Sequence, residues 1–321
     1  MRPGGATMLK IFTQWRCLLF LFCAVLFSQA CNIINPHEVT PTYVHIDSFN
    51  FVQNNSVHPF DAYNHHPGNG VLAPTTHAIG SIWVYYNENP IGIFDLPVTF
   101  PVMASGTQGL QFAPAIAVNG QNNMVNAYSY YTLDTTTLVA NPGHIVNYVP
   151  KTGFYSDVKV GTIANFEAGS GQLFLPWGGG GDGRAIEVVP GDTLGLNGSY
   201  WSGLITLNGV GDSTIDSTAD SFSIPDGTAF IEFDYKSTIP FYIGLQANLS
   251  SKITSTPNYL IGVNPNGGGS WQKFYLEVDG FTAEAQSGIT GVTYNLYIKA
   301  VLADGQTSGR LLIDNIQLVT F

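Results

Sequence analysis

The chain reads as short stretches of alternating apolar and polar residues separated by turn formers, the period-2 pattern of half-buried β-strands. In residues 292–302, Val292, Tyr294, Leu296, Ile298, Ala300 and Leu302 share one face and Thr293, Asn295, Tyr297 and Lys299 the other. The first face is predicted to meet a core and the second to meet solvent. Residues 229–235 send Ile231, Phe233 and Tyr235 inward and Glu232 and Asp234 outward; Phe274, Leu276 and Val278 repeat the pattern, and 310–321 forms a last strand. Upstream, 43–52 alternates around an irregularity at Asp47-Ser48, and 81–86 returns through the turn signal Asn87-Glu88-Asn89-Pro90 to 91–94 as a hairpin. Asn119-Gly120 is a second turn signal. No window shows a 3.6-residue period, so the expected fold is all-β, two antiparallel β-sandwiches in tandem.

Composition sharpens this. Charged residues make up 10% of the 321, against roughly 25% in an ordinary soluble domain, while 36 glycines and 18 prolines supply turns. Eleven basic residues against 22 acidic ones give a net charge of −11. Such a chain offers no positive field to a phosphate backbone, which excludes nucleic-acid binding. All seven histidines lie between His37 and His144, and no Lys or Arg occurs in 31–150. From Lys151 onward there is no histidine. With the Pro and Gly of 147–153, this shift predicts a boundary between a small sandwich over 43–150 and a second domain over 151–321.

At the N-terminus, Lys10 and Arg16 precede an apolar run over 17–27 and then Ser28-Gln29-Ala30-Cys31, the plan of a secretory signal over 1–30. The run falls short of the about 20 apolar residues that span a bilayer. Cleavage after Ala30 leaves Cys31 as the single cysteine of the remaining chain, with 31–42 as a tether. The segment resembles the lipobox of bacterial lipoproteins, which implies lipidation at Cys31, an exported location and an outer-membrane anchor, facing either the periplasm or the cell surface. Ser28 and Ala30 also fit ordinary signal cleavage, which would release a soluble product.

Asn165-Phe166-Glu167, Asp182-Gly183-Arg184-Ala185-Ile186, the 230–235 strand, Trp271-Gln272-Lys273-Phe274-Tyr275-Leu276 and Leu312-Ile313-Asp314-Asn315-Ile316 follow one another in the second half. In that order they resemble the galactose-binding-like jelly roll of carbohydrate-binding modules, over about residues 155–321. The first half is similar to small Ig-like domains of surface lipoproteins. The jelly-roll resemblance implies a structural calcium between an acid of the first strand and one of the last, here Glu167 and Asp314, completed by carbonyls near Asp182 or Gly183. Asp314 is placed by strand alternation on a face with Leu312, Ile316 and Leu318, where a carboxylate needs a partner or a metal.

The ligand candidates are Trp177, before the glycine run that contains Asp182, Tyr200 and Trp201 after Asn197-Gly198, and Trp271. Sugar C–H faces stack on flat aromatics while amides and carboxylates bind the hydroxyls. The glycine run lacks the Lys-Ser/Thr of a phosphate loop, which argues against a nucleotide. His58, His65, His66, His77 and Asp61 match no zinc spacing and read as solvated. Glu232 and Asp234 share a face but read as solvated acids rather than as a glycosidase pair, and no Gly-x-Ser-x-Gly elbow occurs. These observations lead to a non-catalytic envelope lipoprotein whose partner is a glycan, or alternatively to a structural subunit that binds an envelope protein. A cryptic glycoside hydrolase ranks third.

Overall fold

The computed structural model describes residues 40–52, 58–61, 76–167, 172–177, 185–190, 200–249, 252–253 and 259–321, with the backbone alone at 58–61 and 252–253. Cys31, Asp182, His65 and His66 lie outside the described residues. Among the described residues no helix is long and apolar enough to cross a membrane.

The protein is all-β, with two sandwiches that share a seam. In the second half the central strand is Ser308–Thr320. One of its edges pairs with Trp201–Asn208 through residues 308–313 and with Lys159–Ala164 through 316–320; its other edge pairs with Phe230–Ser237, which in turn pairs with Gln272–Glu277. A second sheet runs in the order Phe174–Pro176, Ser213–Thr218, Thr293–Val301, Phe241–Leu249, with Tyr259–Val263 paired to the last of these. Between the two sheets lies one core that includes Ile231, Phe233, Phe274, Leu276, Phe241, Ile243, Tyr294, Leu296 and Ile298. Fully burying one such side chain contributes about 1.5–3 kcal/mol, so this two-sided apolar set holds the sandwich together.

The first half has a sheet of Asn89–Asp95, Ser81–Tyr86, Gly106–Ala117, Val125–Ala127 and Asp134–Ala140, and a three-stranded sheet of Ile145–Asn147, Thr42–Ile46 and Val98–Val102. The hairpin turns at Asn87 and Glu88 with φ of 46° and 66°, the left-handed pair that matches strand twist. Its core takes in Val158, Val160, Phe230, Tyr275 and Val319, so first-half rings pack on the outer face of the second half's sheet. Residues 145–152 run parallel to 43–51, and His58–Asp61 adds to the edge of Lys159–Ala164. The Asn119-Gly120 turn also enters the seam. Asn119 Oδ1 accepts the Glu277 N–H at 3.0 Å, and Gly120 has φ +66° with space for a Cβ only 2.6 Å from the Phe274 ring.

Two expectations need correction. A helix, Asp279–Gln286, follows the Gln272–Glu277 strand and lays Phe281 and Ala285 on the core; eight residues with one i, i+4 apolar pair give too little periodicity to read. Asp314 shares its face with Leu312 but not with Ile316 and Leu318. Asp234 pairs with Asp314 and Glu232 with Gln317, so Phe233 alone opposes the two residues Asn315 and Ile316, and Asn315 takes φ 51°. That bulge flips the alternation. Leu311, Ile313, Ile316 and Leu318 face the core, and Asp314 turns the other way.

Candidate functional site

The outward face of the second sheet is organised by register. The Trp177 N–H donates to the Ile215 carbonyl at 2.9 Å; Ile215 pairs with Lys299, Lys299 with Tyr242, and Tyr242 with Gly262. These residues form one row across the strands. Neighbouring strands are about 4.8 Å apart, so Trp177 to Tyr242 spans roughly 14 Å. Tyr242 is 38% exposed, and a Cβ on Gly262 would lie 3.4 Å from its ring, so the ring rests on its cross-strand glycine. Lys299 Nζ stands 6.0 Å from the ring centroid.

The next row carries Leu175, Ser217, Tyr297, Gly244 and Leu260. Leu175 and Leu260 are exposed. Tyr297 is buried over Gly244, its hydroxyl donating to the Tyr259 carbonyl at 2.7 Å. Beyond it Gln246 pairs with Asn295. Asn248 Nδ2 donates to Asn295 Oδ1 at 2.7 Å, and Asn295 Nδ2 donates to the Thr218 carbonyl at 2.9 Å. Aromatic, ammonium and amide groups are thus fixed on one sheet face, the mix that fits a ligand with apolar faces and hydroxyl edges. Sequence reasoning found Trp177 but missed Tyr242 and Lys299, whose signal is a tyrosine at the polar parity of a strand otherwise filled inward by Phe241, Ile243 and Leu245.

The outer face of the first sheet differs, and here a further correction applies. Glu232 and Asp234 do share that face, but they are 0% and 1% exposed because the first half covers them. Lys273 Nζ pairs with Glu232 Oε2 at 2.9 Å, and the Tyr128 hydroxyl donates to Glu232 Oε1 at 2.5 Å. Asp234 Oδ2 accepts from Thr76 Oγ1 at 3.0 Å and from Asn315 Nδ2 at 3.0 Å. Tyr131 and Tyr275 join hydroxyls at 3.2 Å, and the Ala78 N–H donates to the Tyr275 hydroxyl at 3.1 Å. Glu232 is thereby sealed from water, so this pair does not perform a hydrolase's acid–base work. His77 is half-buried and stacked on Phe51, unlike the solvated histidine expected from the sequence.

Burial alone would push the Lys273 ammonium down, but Glu232 and Asp234 outweigh it and hold it above its ordinary range. Burial first, and Glu232 second, push Tyr128 well up; burial also raises Tyr131 and Tyr275. Burial, with Lys273 beside it, lowers His77. A lysine or tyrosine whose folded value is raised binds its proton more tightly in the folded state, so its stabilising contribution is complete below the unfolded value and lost above it. The unfolded values are 10.5 and 10.0. Thermal midpoints are therefore expected to hold from neutral pH to about 9 and to fall beyond about 10. Tyrosinate absorbance from the seam should grow in together with unfolding; ionisation of all sixteen tyrosines in a still-folded protein would contradict this.

The other sequence candidates are scattered. Trp201 is half-buried against the core beside the 71%-exposed Tyr200. Trp271 sits at the start of Gln272–Glu277, separated from the Trp201–Asn208 strand by two strands. Glu167 Oε1 accepts the Tyr200 N–H at 2.9 Å, and Asp314 Oδ1 accepts the Asn315 N–H at 2.7 Å. Among the described residues no group of three His, Cys, Asp or Glu side chains could hold a metal. A calcium at Glu167 and Asp314 would need its remaining oxygens from backbone or from outside the described residues.

No protein-family model and no curated protein matches the chain. Solved structures similar to it include TmCBM61 in complex with β-1,4-galactotriose, 14% identical over 48% of this chain and 93% of that one, with a TM-score of 0.32. Another is a carbohydrate-binding module of the β-sandwich superfamily described as promiscuous in specificity, 13% identical over 74% of this chain and 84% of that one, TM-score 0.35. A third is the family 30 carbohydrate-binding module of a cellulosomal cellulase from Clostridium thermocellum, 16% identical over 44% and 90%, TM-score 0.31.

Proposed function

We propose that the protein is a non-catalytic glycan-binding module of the cell envelope, anchored through Cys31, and that its glycan lies across the outward face of the second sheet. The observation that supports this reading is the row of Trp177, Lys299 and Tyr242 fixed by strand register. A row of roughly 14 Å suits an oligosaccharide better than a single sugar. The two end aromatics would stack on pyranose faces, and Lys299 with the Gln246 and Asn295 amides would address hydroxyls.

The test is an array of polysaccharides and envelope glycans probed with the protein, with calcium and with chelator. Trp177→Ala and Tyr242→Ala should each weaken binding roughly tenfold, since an aromatic stacking contact carries about 0.5–1.5 kcal/mol beyond its buried area. Both should leave the melting temperature near that of the parent. A glycan bound equally well by the parent and both variants would remove the site from this face, and no glycan bound in either condition would remove the reading. Loss of binding with chelator would give Glu167 and Asp314 a calcium role.

A further inference from the structure

Where the two halves meet, a cleft of about 600 Å³ opens on the opposite side of the sandwich from that face, lined by Thr76, His77, Asp234, Trp271, Gln272 and Lys273. It is a built site. Asp234 lines it while 99% buried by virtue of 1% exposure. Its Oδ2 is held by Thr76 and Asn315, whereas Oδ1 has no hydrogen-bond donor among the described residues. His77 also lines the cleft, and its Nδ1 is buried without a hydrogen-bond partner there. The carboxylate oxygen asks for a donor, and so does the imidazole nitrogen in its Nε2-protonated tautomer. The buried Lys273 ammonium, 2.9 Å from Glu232, is also the cross-strand partner of Asp234, so one positive charge is shared by two buried carboxylates. The half-buried Trp271 indole flanks the cleft.

We propose that this cleft binds an organic ammonium group, with Asp234 Oδ1 as its counter-ion, His77 Nδ1 as a second acceptor and Trp271 as a cation–π wall. An ammonium supplies up to three donors and one positive charge, matching what the cleft lacks. An indole face beside a carboxylate is the surrounding that such a cation prefers to a neutral hydroxyl. The ammonium could belong to an amino sugar or to an amine head group; either has room in the cavity. This inference stands apart from the glycan reading, since it uses the other sheet and none of its residues.

Calorimetric titration of the purified protein with glucosamine, ethanolamine and choline, and with glucose and N-acetylglucosamine as uncharged counterparts, tests it. Glucosamine and ethanolamine should bind, choline, a cation with no N–H to donate, should bind more weakly, and the two neutral sugars should not. Binding of glucosamine alone would identify an amino-sugar source, and binding of ethanolamine an amine head group. Asp234→Asn should lower affinity at least roughly tenfold, the loss of one charge-assisted hydrogen bond. Trp271→Ala should weaken binding without unfolding the protein, which keeps the test informative if Asp234→Asn fails to fold. Neutral sugars binding as tightly as glucosamine, or no amine binding to the parent, would overturn the proposal, whatever the outcome on the glycan array.

Discussion

Lys273→Ala is expected to lower stability by about 3–5 kcal/mol, the range for removing one partner of a buried ion pair. Lys273 and Glu232 side chains are 1% and 0% exposed. Once the ammonium is gone, the Glu232 carboxylate keeps one hydrogen bond, from Tyr128, and stays in the tyrosine-lined seam without a counter-charge. Desolvating an ion costs several kcal/mol even after relaxation, and one hydroxyl donor offsets only part of that. The charge and its packing can be separated. Lys273→Met keeps most of the stem's apolar contact, so it should lose nearly as much as Lys273→Ala if charge dominates. Adding Glu232→Gln should then recover most of the loss, because removing both charges is often neutral or better. Denaturant midpoints for the singles and the double complete the cycle. If Lys273→Met costs under about 1 kcal/mol, water reaches Glu232 and the seam is looser than described.

What the sequence could and could not reveal follows from the range of each signal. The 81–86 hairpin and the two faces of 293–301 were legible because alternation and turn chemistry act over a few residues, and Ser81–Tyr86, Asn89–Asp95 and Thr293–Val301 form as expected. Alternation also told which way Glu232 and Asp234 point. It could not tell what covers them, since Tyr128 and Thr76 are 104 and 158 residues away along the chain. The Asp314 error came from a single bulge: one left-handed residue, Asn315, reverses every parity after it. The row on the second sheet depends on four strands in register. Trp177 was visible as an aromatic before a glycine run; its alignment with Lys299 and Tyr242 was not, because register between distant strands leaves no local trace.

That register also sets the second large effect: Gly244→Ala is expected to cost roughly 3 kcal/mol, the upper end for overpacking a filled site. A Cβ at residue 244 would collide with the Tyr259 carbonyl oxygen and come within 2.5 Å of the Tyr297 hydroxyl. The first obstacle is backbone, so the Tyr259–Val263 strand would have to move away from Phe241–Leu249. The second is a fully seated ring whose hydroxyl donates to that same carbonyl at 2.7 Å, so the two cannot yield independently. Gly262→Ala is the matched control on the same face, because its Cβ would only touch the Tyr242 ring at 3.4 Å; it should shift the melting temperature far less. Molecules of Gly244→Ala that remain folded should also bind the glycan more weakly, since moving Tyr259–Val263 removes the support under Tyr242. A Gly244→Ala variant that melts with the parent would mean that Tyr297 does not rest on Gly244, and the row beside Tyr242 would have to be redrawn.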